Sequence, residues 1–119
     1  MQVTQIYADA SGESHFADVD IPLADGGALG FLSERQPAAG LIFRENEPGY
    51  DLDWHRAPQP QYIVLLDGEI EITVSTGETR RFTGGDVLLV KDTTGKGHRT
   101  RHTRPQQRRS LFIPLDSKE

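Results

Sequence analysis

Gln61-Tyr62-Ile63-Val64-Leu65-Leu66-Asp67-Gly68-Glu69-Ile70-Glu71-Ile72-Thr73-Val74-Ser75 decides the fold class. The first half is a β-branched and aromatic run of strand length. Asp67-Gly68 is a strong signal for a tight hairpin turn. The second half alternates, with Ile70, Ile72 and Val74 on one face and Glu69, Glu71 and Thr73 on the other. A period of two is the mark of a strand with one face buried.

The same grammar extends in both directions. Upstream, residues 3–8, 16–23, 30–32, 40–45 and 50–55 read as strands, with Ala24-Asp25-Gly26-Gly27 and Asn46-Glu47-Pro48-Gly49 as turns. Ala57-Pro58-Gln59-Pro60 is a rigid loop, because each proline fixes its own φ and biases its predecessor away from helix. Downstream, residues 79–82, 86–90, 97–103 and 109–115 continue the series, and no helical period emerges. About ten short strands between frequent turn signals predict an all-β sandwich or barrel. At 119 residues, 1–119 is expected to form one domain.

Composition narrows the function classes. The chain has no cysteine, which removes disulfides and thiolate metal sites. Its net charge of −5 argues against nucleic acid as the main partner. Mean hydropathy is −0.53, and no apolar run approaches the ~20 residues needed to span a bilayer. With no basic-then-apolar N-terminal segment, a cytoplasmic protein without a membrane partner is expected.

Two segments carry a family resemblance. In residues 49–68, Gly49 is followed by five residues and His55; Ala57, Gln61 and Gly68 then fall two, six and thirteen residues after His55. In residues 85–102, Gly85 opens a run to Val90, and Gly95, His98 and His102 follow. This resembles the paired motifs of the cupin superfamily, G-x5-H-x-H-x3-E-x6-G and G-x5-P-x-G-x2-H-x3-N. Spacing in the first is kept, but Ala57 stands for its second histidine and Gln61 for its glutamate. In the second, two extra residues separate Gly85 from Gly95, Thr93 replaces the proline and His102 the asparagine. The blocks Trp54-His55-x-Ala57-Pro58-x-x-Gln61 and Lys91–Arg99 look like signatures of one small-cupin subgroup. The resemblance implies a double-stranded β-helix, or jelly-roll, barrel whose motif residues point inward.

What the resemblance implies for chemistry is a site of His55, Gln61 and His98 as metal ligands, with Asp53 and His102 as proton-transfer candidates. Two imidazoles and a neutral amide suit Zn or Ni better than Fe or Mn, so the cofactor is one divalent transition metal, unresolved among these four, or none. Along a regular strand His102 lies ~13 Å from His98, too far to close on the same ion. By strand parity Asp53 shares a face with His55. His15 reads as a surface residue, and Trp54 as packing between sheets or subunits.

Three functions follow. One is a metal-dependent oxygenase, decarboxylase or isomerase acting on a small organic acid, phenol or enol. The second is a metal-free His/Asp acid–base isomerase. The third is a non-catalytic module for a small anionic ligand, helped by Lys96, Arg99 or Arg101 at the mouth. The sequence leaves open whether the chain is an enzyme. A homodimer is expected, because both faces of 61–66 carry apolar residues that one small barrel cannot cover.

Overall fold

In the computed structural model, which describes residues 1–116, twelve strands form. They are β1 (Gln2–Ala8), β2 (Ser14–Asp20), β3 (Ala24–Asp25), β4 (Phe31–Leu32), β5 (Ile42–Asn46), β6 (Asp51–His55), β7 (Gln61–Leu65), β8 (Glu69–Val74), β9 (Thr79–Thr83), β10 (Val87–Val90), β11 (His98–His102) and β12 (Arg108–Pro114). A single 3-10 turn, Gly27–Leu29, is the only helical element among the described residues.

A six-stranded sheet in the order β2-β1-β10-β7-β12-β5 faces a four-stranded sheet in the order β6-β11-β8-β9. All pairings are antiparallel except β1 with β10. The expected alternation sets the core: Ile70, Ile72 and Val74 of β8 are buried together with Ile6, Phe16, Leu65, Phe82, Leu88 and Val90. Each sheet contributes one apolar face, as a two-layer all-β architecture requires. None of the helices is long and apolar enough to cross a membrane.

Sequence and structure part at several places. Asp67-Gly68, expected to turn a tight hairpin, instead carries the chain from one sheet to the other: β7 pairs with β10 and β12, and β8 with β11 and β9. Ala24-Asp25, expected as a turn, is the first strand of a two-stranded hairpin with Phe31-Leu32. β2 begins at Ser14, two residues before the apolar run, because Ser14 is fully buried by hydrogen bonds rather than by hydrophobicity. On the outer face of β7, Tyr62 Oη donates to Gln36 Oε1 at 2.6 Å, and Ala39 N–H donates to the Pro114 carbonyl at 2.7 Å. The chain thus covers part of the second face of 61–66 with its own 36–39 segment. The β3–β4 hairpin and the edge strand β5 leave Phe31 (69%) and Phe43 (78%) open to solvent.

Candidate functional site

Between the two sheets lies a cavity of about 530 Å³, within the range of small-molecule sites. Its apolar wall includes Leu52, Ile63, Ile70, Ile72, Leu88, Val90 and Phe112. Its polar wall consists of His55, His98, Gln61, Thr100, Tyr50, Arg44 and Arg108, with no carboxylate among the described lining residues.

His55 and His98 are cross-strand partners of β6 and β11, with ring centroids 4.4 Å apart and planes at 59°. The backbone sets up this approach. Gly97 takes φ +76°, and a Cβ there would sit 2.2 Å from the His55 carbonyl oxygen; only glycine combines that conformation with that proximity. The Gly97 carbonyl is fixed by Ser14 Oγ at 2.6 Å, and Ser14 Oγ accepts the Ser75 N–H at 2.6 Å. One buried hydroxyl therefore ties β2 and the end of β8 to the peptide that precedes His98.

Each imidazole is oriented through Nδ1. His98 Nδ1 lies 2.6 Å from Asp92 Oδ2, and both side chains are buried, His98 at 4% and Asp92 at 0% exposure. Asp92 Oδ1 has no partner. His55 Nδ1 lies 2.8 Å from the Asp53 carbonyl oxygen, an acceptor only, so that nitrogen donates. Burial, first, and then the neighbouring His98 hold the His55 imidazole below its ordinary value, against the pull of the Asp53 carbonyl. His55 is consequently neutral at pH 7 with its lone pair on Nε2. In both rings Nε2 is the nitrogen left to the cavity.

Gln61 is buried at the start of β7 and lines the same cavity, so the structure brings His55, Gln61 and His98 together. Asp53 does not join them. The pairing of β6 with β11 runs His98↔His55 and then Thr100↔Leu52, so β6 carries one residue more than its partner. This bulge turns Leu52 into the cavity and breaks the regular parity that put Asp53 on the His55 face. Asp53 is exposed and its carboxylate accepts the Trp54 N–H at 2.8 Å. His102 also lies off the cavity lining. It packs 5.3 Å from the Tyr50 ring, with both ring nitrogens buried and unpartnered. Burial, and then Arg108, hold its imidazole below the ordinary value.

The cations expected at the mouth are spent elsewhere. Lys96 pairs with Glu13, Arg99 with Asp51 at 3.6 Å and Arg101 with Glu71 at 2.5 Å. Arg44 and Arg108, which sequence reasoning passed over, line the cavity instead. So did it pass over Asp92, although that residue stands within the quoted Lys91–Arg99 block. His15, read as a surface residue, is partly covered, stacked on Tyr7 and 2.6 Å from Asp9.

Does this site fit the metal centre that paired cupin motifs imply? Three imidazoles and a carboxylate would be needed. Two imidazoles are present, Ala57 supplies no donor, and the one buried carboxylate nearby is committed to His98 Nδ1. Among the described residues no group of three His, Asp or Glu side chains is placed to hold an ion. The residues do not fit that centre.

No family model matches the chain. The oryzines biosynthesis cluster protein J of Aspergillus oryzae is 36% identical over 82 residues, covering 66% of this chain and 44% of that protein. The chain thus spans less than half the length of this curated relative. Among solved structures, the Cnp3 cupin domain of Schizosaccharomyces pombe superposes with TM-score 0.55 at 15% identity, over 98% of this chain and 86% of that one. The polyketide cyclase RemF of Streptomyces resistomycificus does so with TM-score 0.52 at 19% identity, over 95% and 72%. The all-β chain has the cupin, double-stranded β-helix fold.

Proposed function

We propose that this barrel binds a small organic acid, phenol or enol and moves a proton on it without a metal, as an isomerase-type enzyme. The observation that supports this most is the His55–His98 pair, with both Nδ1 atoms tied and both Nε2 atoms left to one apolar cavity. Neutral His55 accepts a proton from an acidic C–H or O–H of the bound molecule. His98 takes that proton onto its own Nε2 lone pair and returns it to a second atom of the bound molecule, while Asp92 holds the ring by Nδ1 and offsets the charge it carries in transit. The surrounding aliphatic wall excludes water from the transfer. A matched relative from a biosynthesis cluster and a structural neighbour that is a polyketide cyclase agree with chemistry on small molecules.

The test is deuterium incorporation from D2O into a panel of 2-oxo acids and 1,3-dicarbonyl compounds, followed by NMR. Wild type is expected to speed exchange in at least one of them, and His55→Ala and His98→Ala to lose that effect. Equal exchange in wild type and variants would overturn the enzymatic reading in favour of a binding module.

A second reading rests on the same pair of open Nε2 atoms. With Gln61 beside them, they offer a weak nitrogen-rich site for Zn(II) or Ni(II). The protein is also proposed to act as a homodimer in the cytoplasm; the exposed Phe31 and Phe43 support the dimer. Light scattering at micromolar concentration is expected to give twice the monomer mass, and a monomer mass would refute it.

A further inference from the structure

The cavity contains a buried cation that the protein itself does not neutralise. Arg108 opens β12 and is 4% exposed. One Nη donates to Asn46 Oδ1 at 2.6 Å, and the guanidinium carbon lies 5.2 Å from the Tyr50 ring centre. Its Nε is buried with no hydrogen-bond partner. None of the ion pairs among the described residues includes Arg108. Arg44, stacked 4.6 Å from the Phe112 ring centre, brings a second guanidinium to the same wall, again without a carboxylate. An unpaired buried charge is costly, and arginine keeps its charge under all ordinary conditions.

The fold holds this cation in place. Gly68, the last glycine of the first motif, takes φ +76°, and a Cβ there would lie 3.2 Å from both Cβ and Cγ of Arg108. The glycine leaves room for the arginine stem to run inward past the β7–β8 turn.

We propose that Arg108, assisted by Arg44, is a carboxylate-binding site, so that the ligand of the cavity is an organic acid with an apolar body. The planar guanidinium fork, with Nε free, matches a carboxylate in two-point contact. The aliphatic wall of Ile63, Ile70, Ile72, Leu88 and Val90 receives the body of the acid. This deepens the reading above by naming the substrate class, and it rests on the cavity being a ligand site.

The test uses phenylacetate and hexanoate against their neutral amides, by calorimetry and thermal shift. Wild type is expected to prefer each acid over its amide by about ten- to hundredfold, the range of one charge-assisted hydrogen-bonded contact. Arg108→Met is expected to lose the preference while keeping or raising the melting temperature of the ligand-free protein, which a purely structural arginine would lower. Arg101→Met, which removes a guanidinium paired with Glu71 outside the cavity, is expected to keep the preference. Equal binding of acid and amide by wild type, or an undiminished preference in Arg108→Met, would overturn the proposal. Stabilisation by inorganic phosphate equal to that by the acids would also overturn the carboxylate assignment. Should Arg108→Met not fold, Arg108→Lys serves: it keeps the charge but not the fork, so a several-fold smaller preference is expected and an unchanged one refutes the proposal. Acid preference without proton exchange leaves this site standing and removes the enzymatic reading; exchange without acid preference does the reverse.

Discussion

Gly97→Ala tests how the backbone builds the histidine pair. Two costs combine. The φ of +76° places an alanine in the left-handed region, at about 1–2 kcal/mol. The new methyl would also lie 2.2 Å from the His55 carbonyl oxygen and 2.5 Å from its carbon. Backbone cannot swing aside as a side chain can, so β6 and β11 must separate, at a further cost of about 1–3 kcal/mol. At about 2.1 cal/mol/K per residue, the unfolding entropy of 119 residues is about 250 cal/mol/K, so 1 kcal/mol shifts the melting temperature by about 4 °C. The sum of about 2–5 kcal/mol then corresponds to a fall of about 8–20 °C. Gly77→Ala is the control. Its φ is +97° and no atom lies within 4 Å of the added Cβ, so it should fall only about 4–8 °C. Differential scanning calorimetry reads both, and NMR of the His55 and His98 rings reports whether their approach has changed. If the two variants melt within about 2 °C of each other and the ring resonances of Gly97→Ala match wild type, the close approach does not set the pair.

Ser14→Ala leaves the Gly97 carbonyl and the Ser75 N–H without their buried partner; a loss of about 2 kcal/mol, seen as a fall of about 8 °C, is expected in thermal unfolding. Burial holds both His55 and His102 below the ordinary histidine value, so between that value and the folded ones the unfolded chain binds more protons. Stability is therefore expected to be full above pH ~7 and to fall as pH drops through ~6.5, with a smaller fall in His102→Asn; a melting temperature that rises on acidification would contradict this. Replacing Gln61 by Glu adds the missing anionic donor, so calorimetry should show tighter Zn(II) binding than wild type, abolished by His98→Ala. If Zn(II) binds neither wild type nor Gln61→Glu, the weak metal reading is wrong.

How much of this was legible beforehand depends on the range over which each feature is encoded. The apolar face of β8 is local, and a period of two displays it directly; which strands β7 and β8 pair with is not local, and the Asp67-Gly68 hairpin signal misled because the chain crosses there from one sheet to the other. His55, Gln61 and His98 were found because spacing within each motif fixes their strand positions. Asp53 was misplaced because one extra residue in β6 reverses parity, and no feature of Asp51-Leu52-Asp53-Trp54-His55 signals a bulge. Asp92 reaches His98, six positions further on, from the loop between β10 and β11, so no strand period relates them. Arg44 and Arg108 sit on β5 and β12, neighbours only because the chain returns to the same sheet edge. Conversely, Lys96, Arg99 and Arg101 formed an obvious basic run, but their acidic partners, in the β1–β2 loop, on β6 and on β8, occupy them outside the cavity.

The central claim is that two imidazoles present Nε2 lone pairs to the cavity while Nδ1 of each is held by the protein. Long-range nitrogen–proton NMR on protein labelled at the histidine rings, recorded at pH 8, measures this directly. The account predicts that His55 and His98 each carry their proton on Nδ1, that the His98 pattern changes in Asp92→Ala, and that the His55 pattern does not. Protonation on Nε2 in either ring, or a His98 ring indifferent to loss of Asp92, would contradict it.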